Sequence, residues 1–336
     1  MAIASDTPIP TVKGWLPASQ LMVGDYVFDQ HGFPQRVKVI QPYIPQQMYK
    51  ITLDDGLSIE GDKHLAFYPE TKLNRVCVSQ FLSRRKANAQ RRPNRRKMVL
   101  VQKTVEQLLK TGIRNPDDDR YEYTIPTCQP VNYPYQDHPV PPFVAGLWFA
   151  AQRVGGTIKK TKLFHDHVKE RLRDVGYQVV NKTTARFGVK PSVNQSFLTR
   201  YAPIPKVLPP EYLLGTSEQR IDLLAGIMCS DEYNYNIKTD TYYYRTRDKR
   251  FCRMLQNLCE SLGIRTMSKL NSEEYSIYEV RFRTEIPLVP NRNPLQRTIK
   301  FKRRTLRKIE EIKPFACVHI ETESQFLAGE GYIPCL

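Results

Sequence analysis

A chain of 336 residues, 40% apolar and 25% charged, is long enough for two domains that each bury a core. Its formal net charge of +17 costs self-repulsion and points to a polyanionic partner, nucleic acid ahead of an acidic membrane surface. No run reaches the roughly 18 to 20 apolar residues of a membrane span, and no signal peptide is visible. Seven scattered cysteines without a CxxC pair argue against a disulfide framework or a structural zinc site, and for a reducing compartment.

From Ser5 to Ile40, short alternating runs broken by turn signals predict β structure. Gly24–Phe28 leads into a turn at Asp29–Gly32, and Arg36–Ile40 returns as the next strand. A hairpin follows, with strands Tyr49–Leu53 and Leu57–Glu60 around Asp54-Asp55-Gly56. Asp-Gly favours a tight hairpin because both central residues need positive φ. A dense basic run comes next: Arg84, Arg85, Lys86, Arg91, Arg92, Arg95, Arg96 and Lys97. Such a cluster suits phosphate contacts, which add affinity with little sequence reading; the competing role is a solvated loop. Thr104–Lys110 reads as a short helix and the Pro- and Tyr-rich stretch Pro126–Pro142 as a linker.

Beyond the linker the chain repeats itself. Val144-Ala145-Gly146-Leu147-Trp148-Phe149-Ala150-Ala151-Gln152 recurs 80 positions later as Leu224-Ala225-Gly226-Ile227-Met228-Cys229-Ser230-Asp231-Glu232. Each copy precedes polar, strand-like sequence and an amphipathic helix, Phe164–Val175 closed by Gly176 and Phe251–Leu262 closed by Gly263. This is an internal duplication. The strands Tyr242–Arg247 and Tyr278–Arg283 are rich in Tyr and Arg; alternation puts Arg281 and Arg283 on one face and Val280 and Phe282 on the other. A second basic run holds Lys300, Lys302, Arg303, Arg304, Arg307 and Lys308, and Cys317–Glu321 reads as a closing strand.

The ends and the middle resemble two known families. Asp6-Thr7-Pro8-Ile9-Pro10-Thr11, Gly14-Trp15 and Leu21–Asp29 resemble the opening block of inteins, and Phe326–Pro334 resembles their closing block. The resemblance implies an all-β, horseshoe-shaped splicing (Hint) domain. It also places a nucleophilic Cys or Ser where this chain has Ala2, after Met1. It makes His64 the imidazole that protonates the departing amide nitrogen, a role suited to a pKa near neutrality. At the other end Leu336 stands where the family has His, and no Asn follows. Splicing by the usual route is therefore expected to fail, and Cys335 is expected to pack a strand end.

Leu224–Asp231, and more loosely Val144–Ala151, resemble the LAGLIDADG motif of homing endonucleases. Small residues at Ala145/Gly146 and Ala225/Gly226 would let two helices pack backbone to backbone. The eighth-position acids would then meet, binding Mg²⁺ or Mn²⁺ to activate water and stabilise the leaving oxygen of a phosphodiester. Asp231 is such an acid and metal ligand; Ala151 marks a lost one, so cleavage is expected to be impaired. In that family two sheets form a saddle over double-stranded DNA. This makes Arg245, Arg247, Arg281 and Arg283 candidate contacts, with the 84–97 run and Lys302, Arg303 and Arg304 on phosphates.

The expected fold is therefore two-domain. A discontinuous splicing domain spans 1–138, with a basic insert at 80–125, and resumes at 299–336. An α/β endonuclease domain of pseudo-twofold αββαββα repeats spans 139–298. Expected partners are a long asymmetric DNA site and the flanking host segments (exteins), with no membrane. The expected state is a cytoplasmic monomer in a prokaryotic or phage-infected cell. Two alternatives compete: a DNA binder whose cleavage chemistry has decayed, and a maturase-like RNA binder, which would have no use for a splicing module.

Overall fold

The computed structural model describes residues 2–72, 74, 100–150, 153–154, 157–159, 165–183, 186–190, 209–230, 233–236, 238–272, 277–289 and 302–336. Contacts divide the chain into two compact units, Met1–Cys128 with Lys302–Leu336, and Gln129–Phe301.

Among the described residues, the first unit is built on a seven-stranded sheet. From edge to edge it runs Thr124–Pro126, Arg303–Ile312, Met48–Leu53, Ser58–Asp62, Ala2–Ala4, Cys317–Glu321 and Val39–Tyr43, every pairing antiparallel. A four-stranded sheet joins Gly14–Pro17, Pro8–Thr11, Tyr26–Phe28 and Pro34–Arg36. Ile3, Ile9, Val27, Ile51, Val318 and Phe326 share its core. Ala2–Ala4 has strands on both sides and is buried along its whole length, which explains its small alanines: little room is left around a central strand. The helix α1 (Val105–Thr111) starts at a capping box between Thr104 and Gln107.

Two expectations for this unit are corrected. Arg36–Ile40 is not one strand. Pro34–Arg36 ends in the smaller sheet and Val39–Tyr43 begins in the larger one. Between them the Val37 N–H donates to the Asp25 carbonyl (2.8 Å) and the Lys38 N–H to that of Glu321 (2.8 Å). The period-two pattern continues while the chain changes sheets, so the crossing leaves no mark in the sequence. The Asp54–Gly56 hairpin has a single positive φ, +85° at Gly56, and the Leu53 N–H donates to the Leu57 carbonyl (2.9 Å). It is a three-residue loop with glycine in the left-handed position, not a two-residue turn.

The second unit contains α2 (Pro142–Ala150), α3 (His165–Asp174), α4 (Ser217–Met228) and α5 (Lys249–Ser261). Two four-stranded antiparallel sheets share one strand order. The first runs Arg153–Val154, Thr157–Lys159, Arg186–Lys190, Gln178–Asn181; the second runs Tyr233–Asn236, Thr241–Thr246, Ile277–Phe282, Thr266–Ser272. Along the chain each half reads helix, two strands, helix, two strands. Asp248 caps α5, accepting from the Arg250 N–H (2.8 Å), and Gly176 and Gly263 stop α3 and α5 at φ +83° and +71°.

The two halves meet at α2 and α4. A Cβ on Gly146 would lie 2.1 Å from the Leu223 carbonyl oxygen and 3.0 Å from the Ile227 nitrogen. A Cβ on Gly226 would lie 2.1 Å from the Phe143 carbonyl oxygen and 2.8 Å from the Leu147 nitrogen. Shifting each number by 80 turns one set of contacts into the other. Only glycine permits this backbone approach, and the surrounding helix residues, Phe143 to Ala150 and Leu223 to Met228, are buried.

The segment 129–138, which sequence assigns to the first domain, packs in the second unit. Arg220 of α4 is completely buried and its guanidinium needs acceptors. It donates to the carbonyls of Gly215 (3.0 Å), Ser261 (2.8 Å) and Val131, and its guanidinium lies 5.1 Å from the Tyr133 ring centre. The Gln219 amide also holds Gln136 at both its backbone N–H (3.2 Å) and carbonyl (2.6 Å). The boundary therefore falls at 128/129, and the second at 301/302 where 298/299 was expected.

Gly146→Ala and Gly226→Ala are each expected to destabilise the protein by about 3 kcal/mol, at the upper end for overpacked cores, because backbone rather than a side chain must move. Urea unfolding followed by tryptophan fluorescence measures this, since Trp148 lies on α2. Wild-type stability in either variant would contradict the close approach.

Candidate functional site

In the first unit the sheet brings the Ala2 position between two later strands. Ala2 pairs with His319 and Ala4 with Cys317, while Ile3 faces Gly61 across the other neighbouring strand. A Cβ at Gly61 would lie 2.5 Å from the Ala2 carbonyl oxygen, so glycine is required beside it. The next residue, Asp62, is buried, and its Oδ1 accepts the Ala2 N–H (3.3 Å) and the His64 N–H (3.1 Å). Its Oδ2 accepts the Tyr43 hydroxyl (2.5 Å). Burial, then the bond to Asp62, pushes the Tyr43 phenol above its usual range, so Tyr43 stays a donor.

A carboxylate thus touches the nitrogen of the peptide bond between residues 1 and 2. His64 reaches this site through its backbone only; its imidazole is exposed and makes no hydrogen bond among the described residues. Sequence reading missed Asp62, whose one signal was its place two residues before His64. It also missed Cys317, which shares a small apolar cluster with Ala2, Ala4 and Met48. Burial, then the charges of Asp62 and Asp6, pushes the Cys317 thiol up to about 11, so it is protonated at neutral pH. Cys335 is wholly buried opposite Phe326, and the Leu336 N–H donates to the Ala66 carbonyl (2.9 Å).

In the second unit α2 and α4 lead to positions 151 and 231. Ala151 and Asp231 lie outside the described residues, as do Arg84, Arg85, Lys86, Arg91, Arg92, Arg95, Arg96 and Lys97. Among the described residues no group of three His, Cys, Asp or Glu side chains could hold a metal ion.

The second four-stranded sheet has two unlike faces. Tyr242, Tyr244, Val280 and Phe282 are buried in the core. The opposite face carries Tyr243 and Arg245 on one strand and Arg281 on the next, with Met267 and Lys269 beyond, in the register Tyr243↔Arg281↔Met267 and Arg245↔Glu279↔Lys269. Arg247 is exposed just past its strand, and the Arg283 Nε donates to the Thr241 hydroxyl (2.8 Å). Glu279, overlooked from sequence, sits between two arginines: Nε of Arg245 donates to one carboxylate oxygen (2.8 Å) and Nε of Arg281 to the other (2.5 Å). Burial alone would raise the Glu279 carboxyl, but these two bonds hold it below the usual carboxylate range.

The expectation of a phosphate-binding patch at Lys302, Arg303 and Arg304 is corrected. These residues enter a strand, and alternation turns Arg304 and Leu306 inward. Arg304 is 1% exposed, and its Nε donates to the equally buried Asp55 (2.7 Å). Arg303 is paired with Glu70 (3.2 Å), and Lys302 alone of the three is exposed. Removing one partner of a buried pair costs about 3–5 kcal/mol. Arg304→Ala is therefore expected to lower the denaturation midpoint sharply while leaving the salt dependence of DNA binding unchanged; a lowered salt slope with unchanged stability would contradict the burial.

No family model matches the chain. It is 25% identical over 233 residues to the replicative DNA helicase DnaB of Mycobacterium intracellulare, a match covering 68% of this chain and 37% of that protein. The chain thus spans little more than a third of that relative's length. Among solved structures, the MchDnaB-1 intein is 29% identical over 20% of this chain and 53% of its own, with a TM-score of 0.20. The Msm DnaB1 intein splicing domain bound with zinc is 31% identical over 20% of this chain and 56% of its own, also at 0.20. I-DmoI in complex with DNA and Mn is 14% identical over 43% of this chain and 89% of its own, at 0.30. The solved proteins to which the chain is similar thus include DnaB inteins, at 29–31% identity over a fifth of its length, and I-DmoI over a larger share.

Proposed function

We propose that the first unit is a protein-splicing domain and that the second, inserted in it along the chain, is a homing endonuclease that binds double-stranded DNA site-specifically. The observation that carries this reading is the reciprocal packing of Gly146 and Gly226 on helices whose sequences repeat at a spacing of 80, each followed by a sheet of the same strand order. A pseudo-twofold axis through that crossing would bring positions 151 and 231 together. Asp231 would then supply one carboxylate to a divalent cation, Mg²⁺ or Mn²⁺, which when bound would activate water and stabilise the departing oxygen of the phosphodiester. The sheet carrying Arg245 and Arg281 is the groove-facing surface of one half.

On this reading the alanines abolish splicing by the usual route and impair cleavage. Ala2 has no nucleophilic atom, although Asp62 still contacts the amide nitrogen that splicing would release. Ala151 withdraws a hard oxygen ligand from the metal. The competing reading, a DNA binder without cleavage, is favoured by that same residue. The RNA-binding alternative gains nothing from the splicing-like unit.

A plasmid carrying an intein-less DnaB-type insertion site distinguishes them when incubated with Mg²⁺ or Mn²⁺ and either the protein or Ala151→Asp. Endonuclease function predicts that Ala151→Asp linearises the plasmid, with the unsubstituted chain nicking it at most. Binding of that site without cleavage by either protein would leave the non-cleaving reading, and failure to bind would overturn the assignment.

A further inference from the structure

The exposed face of the second sheet contains a buried charge whose placement needs a reason. A carboxylate is a costly neighbour on a surface meant for a polyanion, because it repels phosphate and cancels positive charge. Glu279 is nevertheless 1% exposed there, covered by the two arginines it binds. Each arginine uses Nε for Glu279 and stays partly exposed, Arg245 at 52% and Arg281 at 38% of its side chain, so the paired terminal nitrogens of both guanidiniums remain available. Those nitrogens have no other partner among the described residues. The Arg281 guanidinium also lies 5.3 Å from the Tyr243 ring centre, a second contact that restrains it.

The register sets the spacing. Arg245 stands opposite Glu279 and Arg281 opposite Tyr243, so the two arginines are diagonal neighbours across adjacent strands. Diagonal neighbours are roughly 7–8 Å apart. Successive base pairs rise by about 3.4 Å, so the two forks are spaced about two steps apart. An arginine fork held in a fixed plane matches the two acceptors of guanine, O6 and N7, in the major groove. A mobile arginine on an exposed strand would favour the nearest phosphate instead.

We infer that Glu279 is a specificity-determining residue that holds Arg245 and Arg281 as a pair of guanine readers about two base-pair steps apart. This rests on the DNA-binding reading of the second unit. Glu279 acts on specificity through the arginines and contributes no affinity of its own.

The test uses the full chain and a pool of random-sequence duplexes partitioned by binding, followed by affinity measurements on selected and unselected duplexes at several salt concentrations. Wild type is expected to enrich guanine at two positions about two steps apart. Arg245→Lys and Arg281→Lys keep the charge and lose the fork; each is expected to lose one of the two guanines, with the salt slope unchanged. Glu279→Gln, shown to be folded by its thermal melt, is expected to bind unselected duplex more tightly and to lose about tenfold or more of its preference for the selected one. Duplex binding with no paired guanine preference, or with that preference intact in both lysine variants, overturns the inference and leaves the DNA-binding reading standing. No duplex binding by wild type overturns both.

Discussion

The architecture of the second unit depends on one contact, the backbone approach of α2 and α4 at Gly146 and Gly226. A Cβ on either glycine would fall 2.1 Å from a carbonyl oxygen of the other helix. At that distance the interface has no freedom to slide or to take a larger residue. The constraint explains why each motif is apolar on every side: Phe143 to Ala150 are all buried in the core of the unit. It also fixes how the C-terminal ends of the two helices, Ala150 and Met228, stand relative to each other. The sheets that follow carry the same strand order, so one helix crossing organises both halves.

A second theme is how a chain with a net charge of +17 uses its acids. Several are buried at positions where a single carboxylate sets the geometry of its neighbours. Asp55 takes Arg304 out of a basic run and into the splicing-like core. Asp62 gathers the backbone of Ala2 and His64 and the hydroxyl of Tyr43. Glu279 orients two arginines on a sheet face. Arg220 does the converse with backbone carbonyls, tying the segment at Val131 to α4 and α5. Buried charges are weak evidence for stability, but they fix one arrangement over others.

These same residues mark the limit of what the sequence reveals. Elements written in local pattern were legible: the helix capped at Thr104, the helices stopped at Gly176 and Gly263, and the strand Cys317–Glu321. The glycines at the helix crossing were legible because a repeat makes a chance pattern improbable. Long-range pairings were not. Nothing near Arg304 announces Asp55, some 249 residues away, so a buried ion pair reads as part of a basic patch. The link from Arg220 to Val131 spans 89 residues, and a segment that looks like a linker is held by it. At the site, the resemblance singled out His64, which contributes its backbone N–H to Asp62, whereas Asp62 and Glu279 acquire meaning only when strands are paired.

The proposed function requires that the glycine crossing bring positions 151 and 231 together as two halves of one site. The most direct measurement is intramolecular cross-linking of an Ala151→Cys, Asp231→Cys double variant, with the single variants as controls; the described native cysteines are all buried. The account predicts that mild oxidation rapidly joins the two thiols within one chain, seen as protection from alkylation and a gel shift in the double variant only. Free alkylation of both thiols in the folded protein, with no cross-link, would contradict it.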